Sequence, residues 1–156
     1  MNTNQLYDLF LKCNGVSTDT RSIKKNSLFF SLKGENFDGN DYALEALNKG
    51  AKYAVIDNNK LKNSKFIQVN DVLTSLQLLS ACHRTKLKNT TIIALTGSNG
   101  KTTTKELIHS VLSEKYKTVS TLGNLNNHIG VPLTLLSMNA ETEIGIVEMV
   151  LSLLMV

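Results

Sequence analysis

Residues 91–104 read TIIALTGSNGKTTT, and this stretch decides the fold. TIIAL (91–95) is a continuous β-branched apolar run, the pattern of a strand covered on both faces in a parallel sheet. A glycine-rich turn follows, and then a helical pattern over 103–116 that points Leu107, Ile108, Val111, Leu112 and Tyr116 inward. Strand, tight turn and helix in that order form a phosphate-binding unit. The usual loop pattern begins with a glycine six residues before its lysine. Here that place holds Leu95, while the working half, Gly100-Lys101-Thr102, is complete. Gly97 and Gly100 can take positive φ. The backbone N–H groups of Ser98 and Asn99 can join an anion nest that runs into the helix start at Thr102 and Thr103. Lys101 brings a mobile cation to phosphate oxygens. Thr102 offers a hydroxyl to Mg²⁺, a hard cation that prefers oxygen ligands.

Outward from the loop, strands and helices alternate. Residues 4–13 are expected to be helical, 27–32 a strand, 34–39 a polar loop, and 41–49 a helix opening on Asp41. AKYAVID (51–57) and KFIQV (65–69) read as strands, and Asp71 can cap a helix over 72–86 with Val72, Leu76 and Leu79 on one face. After the loop, 117–120 and 143–149 are strands, and Pro132 suits the first turn of one more helix. The expected fold class is therefore α/β with mainly parallel sheets. A small N-terminal domain is expected over 1–87, and a P-loop-type domain, incomplete in this chain, over 88–156. Glu148 closes the strand EIGIVEM, and carboxyl ends of parallel strands face the ligand crevice. Position alone leaves it open between sharing an Mg²⁺ with Thr102 and facing solvent.

Composition narrows the function classes. Of 156 residues, 42% are hydrophobic and 19% charged, a soluble globular balance. A net charge of +4 spread over scattered lysines suits an anionic small molecule. No basic stripe with interleaved aromatics points to nucleic acid. No apolar run is long enough to insert in a membrane, and the start MNTNQLYDLFLKC lacks the marks of a signal peptide, so a cytoplasmic protein is expected. Cys13 and Cys82 form no motif. Cys82-His83 has no second ligand pair at metal spacing, so no zinc is expected.

At this point the residues resemble a known family. TGSNGKTTTKE (96–106) is similar to the ATP loop of the Mur ligases, which also lack the first loop glycine. GNLNNHIGVPLTLL (123–136) resembles the segment that follows in one branch of that family. VSTDTRSIKKNSLFFSLKGENFDGNDYALEALNKGAKYAVID (16–57) resembles its uridine-nucleotide domain. The resemblance implies ATP and Mg²⁺ as cofactors, and UDP-MurNAc-tripeptide and D-alanyl-D-alanine as the small-molecule substrates. ATP would phosphorylate the tripeptide carboxylate, and the amine of D-alanyl-D-alanine would attack the acyl phosphate to form an amide. It further implies a full-length protein that acts as a monomer. Carried over by position, Gly97 to Thr103 are the ATP loop, Lys101 its catalytic cation, and Thr102 and Glu148 the metal ligands. Asn126 and Asn127 would face substrate, and His128 would be their neighbour. Ser17, Thr18, Asp19 and Arg21 would lie near the uridine nucleotide. For Asp19 and Arg21 a turn cap and a local ion pair remain the alternative. The tail from Val150 to Val156 departs from the family pattern and reads as aberrant, so a chain inactive alone is expected. The alternative is a non-catalytic nucleotide-binding fragment or pseudogene product.

Overall fold

The computed structural model describes residues 1–150, so the tail expected to be aberrant from Val150 to Val156 lies, but for Val150, outside the described residues. The chain divides into two compact units, Met1–Cys82 and His83–Val156. The division falls inside a helix, whereas the sequence boundary at 87/88 falls at the turn just after that helix.

The first unit opens with α1 (Thr3–Phe10). Asn2 and Gln5 form a reciprocal capping box, and Leu6 and Phe10 are buried. Its sheet runs β1 (Val16–Ser17), β2 (Leu28–Phe30), β5 (Tyr53–Ile56) and β6 (Phe66–Gln68) in that spatial order, all parallel. The central strand β2 is Leu-Phe-Phe with every side chain buried, as expected where helices cover both faces. Phe29 and Ile56 pack with Ala43, Ala46, Ala51 and Ala54. Fully burying a side chain such as Phe29 or Ile56 is worth about 1.5–3 kcal/mol.

GENFDG is not the open loop its composition suggests. β3 (Lys33–Gly34) and β4 (Phe37–Asp38) pair antiparallel as a small hairpin. The helical segment after it begins as a 3-10 turn at Gly39–Tyr42, capped by Asp38 rather than Asp41, and continues as α2 (Ala43–Asn48). Asp38 takes this place because Asn40, buried two residues on, donates from its backbone N–H to the carboxylate at 2.9 Å. The Asn40 amide also bonds Asp57 at 2.8 Å, which pins the hairpin to the end of β5. Helix α3 (Val72–Lys86) starts where Asp71 accepts from the Thr74 N–H, and Val72, Leu76 and Leu79 are buried as the spacing predicts.

The second unit holds a three-stranded parallel sheet: β7 (Thr91–Leu95), β9 (Ile144–Glu148) and β8 (Thr118–Ser120), with β9 in the middle. β7 is thus an edge strand among the described residues. Thr91 and Ala94 are exposed, so its apolar run is not covered on both faces. The central position belongs to β9, whose last four residues are buried. Leu87, Met138 and Val147 form the small core, with Ile92, Val119, Val131, Leu135 and Met149 against it. Helix α4 (Lys101–Ser113) and helix α5 (Gly130–Leu136) complete the unit. The inward face of α4 also differs from expectation: Leu107 and Val111 are 64% and 71% exposed, and its fully buried residue is Lys105. The helix turns a polar side chain inward because the sheet ends it meets carry Glu148 and free carbonyls rather than a purely apolar surface.

Candidate functional site

The loop 96–100 joins the carboxyl end of β7 to α4. Gly97 and Gly100 have φ of 145° and 75°, values costly for residues with a Cβ. Gly100 is the N-cap of α4 in left-handed conformation, and no side chain caps the helix. The first N–H groups of α4 therefore keep their capacity for an anion, with the positive end of the helix dipole behind them. Lys101 folds back over the loop, and its Nζ donates to the Gly97 carbonyl. The ammonium is thus held against its own loop.

A cleft of about 300 Å³ opens here, lined by Ser98 to Thr103 together with Asn126 and Glu148. Glu148 is 1% exposed and comes from the end of the central strand. The Thr102 hydroxyl lies 3.2 and 3.1 Å from its two carboxylate oxygens. Asn126 donates to one of them at 2.8 Å. A hydroxyl and a carboxylate side by side at the foot of a phosphate nest are hard oxygen donors. They fit Mg²⁺, which takes one or two protein ligands and completes its shell with water and phosphate oxygens. Thr102 and Glu148 would hold it, and the charge it supplies would offset that of a phosphate chain.

Asn126 and Asn127 separate in role. Asn126 faces the cleft, while the Asn127 side-chain oxygen accepts the N–H groups of Ile129 and Gly130 at 3.0 and 2.9 Å, organising the start of α5. The chain must turn tightly there. A Cβ on Gly130 would stand 2.2 Å from the Leu125 carbonyl oxygen.

The remaining sequence candidates lie in the first unit, apart from the phosphate loop along the chain. Ser17 is buried and donates to the Asp19 carbonyl at 3.3 Å. Thr18 is half-buried. Asp19 caps the 3-10 turn Thr20–Ser22, and Arg21 grips its carboxylate, with the closest contact at 2.6 Å. The Arg21 side-chain hydrogen bonds, then its backbone N–H, pull the Asp19 pKa from 3.8 down to about 2. A carboxylate with a lowered pKa favours the folded state fully above its unfolded value. Here the contribution fades as pH falls from about 3.8 to about 2. Arg21→Ala is expected to bring the Asp19 titration back up toward 3.8, followed by its side-chain NMR shift. A midpoint still near 2 in the variant would show that the Arg21 side chain is not the cause.

Lys105 escaped the sequence reading. A lysine at a helical position reads as a solvated face, and no local pattern marks it as buried. Only the structure, with Leu107 and Val111 outside, reveals it. Among the described residues no group of three or more His, Cys, Asp or Glu could hold a metal, and no helix is long and apolar enough to cross a membrane.

Two family models match the chain: "Mur ligase family, catalytic domain" over residues 12–95 and "Mur ligase middle domain" over 95–154. The chain is similar to the UDP-N-acetylmuramoyl-tripeptide–D-alanyl-D-alanine ligase of Bacillus subtilis (strain 168), 46% identical over 141 residues, covering 88% of this chain and 31% of that protein. The protein of the same name from Treponema pallidum (strain Nichols) is 39% identical over 146 residues, covering 86% of this chain and 32% of the relative. Among solved structures, MurF from Acinetobacter baumannii superposes with a TM-score of 0.80 at 31% identity, over 96% of this chain and 35% of that one. MurF ligase from Thermotoga maritima in complex with ADP gives a TM-score of 0.76 at 29% identity, over 90% and 33%. The chain therefore spans about a third of the length of the relatives it matches. With its phosphate loop, its strand-end glutamate and the first family model covering more than half its length, the chain belongs to the Mur ligase family.

Proposed function

We propose that the second unit binds ATP with Mg²⁺ in the 97–103 cleft, as the nucleotide-handling part of an ATP-dependent amide ligase. The observation that carries this reading is the Thr102 hydroxyl 3.1 Å from the buried Glu148 carboxylate, at the foot of an uncapped helix start. Gly97 to Thr103 would wrap the phosphates with backbone N–H groups, and Lys101 would neutralise the transferring phosphoryl group. Bound Mg²⁺ would supply positive charge at the phosphate oxygens.

The relatives' names and the ADP in the Thermotoga maritima structure support the specific reaction. The carboxylate of UDP-MurNAc-tripeptide would attack the γ-phosphorus of ATP and release ADP. The amine of D-alanyl-D-alanine would then attack the acyl carbon, expel phosphate and lose a proton, leaving an amide in a cytoplasmic peptidoglycan precursor. The first unit, with Ser17, Thr18, Asp19 and Arg21, would serve the uridine nucleotide. Asn126, and Asn127 through the turn it organises, would border the substrate side.

Because the relatives are about three times as long, ligation belongs to the whole family architecture. The 156-residue chain is expected to bind nucleotide without completing the reaction. Calorimetric titration with ATP should show binding strengthened by Mg²⁺, and separate titration with UDP-MurNAc-tripeptide should show whether the first unit has its own site. Absence of any nucleotide binding would overturn the ATP reading. Amide formation by this chain alone would overturn its expected inactivity.

A further inference from the structure

We propose that Lys105 is a positioning residue for the metal side of the cleft, clamping the 121–123 turn that sets where Glu148 and Asn126 present their polar atoms. The inference rests on the nucleotide reading above. Lys105 is 0% exposed, one helical turn beyond Lys101 on α4. Its ammonium donates to the Thr121 carbonyl at 2.6 Å and the Gly123 carbonyl at 3.1 Å, and pairs with Glu106 at 2.9 Å. Two carbonyls and the Glu106 carboxylate surround the ammonium, and Lys105 is fully buried. Lys101 lines the cleft and Lys105 does not, which separates the two in role.

The clamp reaches Glu148 by two routes. Thr121, held through its carbonyl by Lys105, accepts the Glu148 N–H on its hydroxyl oxygen at 3.0 Å. Gly123, held the same way, begins the turn that ends in Asn126, whose amide donates to Glu148. The Lys105 Nζ itself is 3.9 Å from the nearest Glu148 oxygen. It contributes its charge without occupying an oxygen that faces Thr102. Outer partners of this kind orient metal ligands, and losing one commonly weakens metal affinity by about 10–100-fold.

The test uses the 156-residue chain at fixed ATP, titrated with Mg²⁺, beside ATP binding in EDTA. Lys105→Met is expected to raise the Mg²⁺ concentration for half-maximal effect by about tenfold while leaving metal-free ATP binding within about twofold. Glu106→Gln, which touches the ammonium from the exposed side, should leave the Mg²⁺ requirement unchanged. If Lys105→Met melts below the assay temperature, Lys105→Arg replaces it, because it keeps the charge but not the compact donor geometry. It should still raise the Mg²⁺ requirement by about threefold. Equal loss of binding with and without Mg²⁺, or an unaltered Mg²⁺ requirement, would overturn the inference and leave Lys105 a structural residue. A wild-type chain that binds no ATP would instead overturn the nucleotide reading itself, and this inference with it.

Discussion

Lys101→Met is expected to lower ATP affinity by at least about a hundredfold, or ~3 kcal/mol, while the chain stays folded. The loss should be large because, among the described residues, Lys101 is the one lysine or arginine lining the cleft, and a phosphate chain there needs its charge met. The fold should survive because the side chain is half-buried and its hydrogen bond goes to the Gly97 carbonyl of its own loop. Methionine keeps an unbranched apolar stem, one atom shorter than the whole lysine side chain, and removes the ammonium with its charge and its hydrogen bond to Gly97. Calorimetry with ATP and Mg²⁺, run beside thermal unfolding, separates the two effects. Affinity preserved within a few-fold would mean that the backbone nest alone carries the phosphates.

Gly130→Ala should be nearly as damaging by a different route. The added Cβ would meet the Leu125 carbonyl oxygen at 2.2 Å and the Leu125 carbonyl carbon at 2.3 Å. These are backbone atoms and cannot swing aside as a side-chain tip can. The 125–130 loop must open, which is expected to cost about 3 kcal/mol. Asn126 is the residue next to Leu125, so the same displacement breaks its bond to Glu148. Denaturant unfolding should show the stability loss, and the Mg²⁺ dependence of ATP binding should weaken in the fraction that remains folded. A variant with unaltered stability and unaltered Mg²⁺ dependence would show that the loop accommodates the methyl group elsewhere.

The glycine-rich loop of the candidate site was legible from sequence because its pattern is local. Gly97, Gly100, Lys101 and Thr102 lie within one turn, and their spacing carries the geometry. Glu148 is distant in sequence but sits at a strand end, a place that topology makes predictable in a parallel sheet. Lys105 was not legible. Apolar periodicity assigns the inner face of a helix to its leucines and valines, yet here the inner face meets carbonyls of the 121–123 turn, and Leu107 and Val111 point outward. Nor could composition separate Asn126 from its neighbour. Whether an Asn side chain faces a cleft or caps a helix depends on where the chain turns, and that is fixed by the tight approach at Gly130. The hairpin within GENFDG was hidden for a similar reason. Two-residue strands show no alternation, and what holds this one is the Asn40 bond to Asp57, much further along the chain.

The strand order of the second unit carries a consequence for how the molecule is made. Among the described residues, β7 and β8 are not partners, and each pairs only with β9, the last of the three in the chain. Thr91 and Thr118 both wait for Ile144. On the ribosome, the phosphate loop and its helix therefore emerge well before the strand that seats them. The sheet of this unit cannot nucleate from a local hairpin and must close through long-range parallel pairing, which is slow. The first unit has its strands β1, β2 and β5 in chain order and can fold while the second is still unstructured. The strand that delivers Glu148 is thus also the one whose arrival joins β7 and β8 in the described sheet, so the Thr102–Glu148 contact forms only after residues 144–148 have paired.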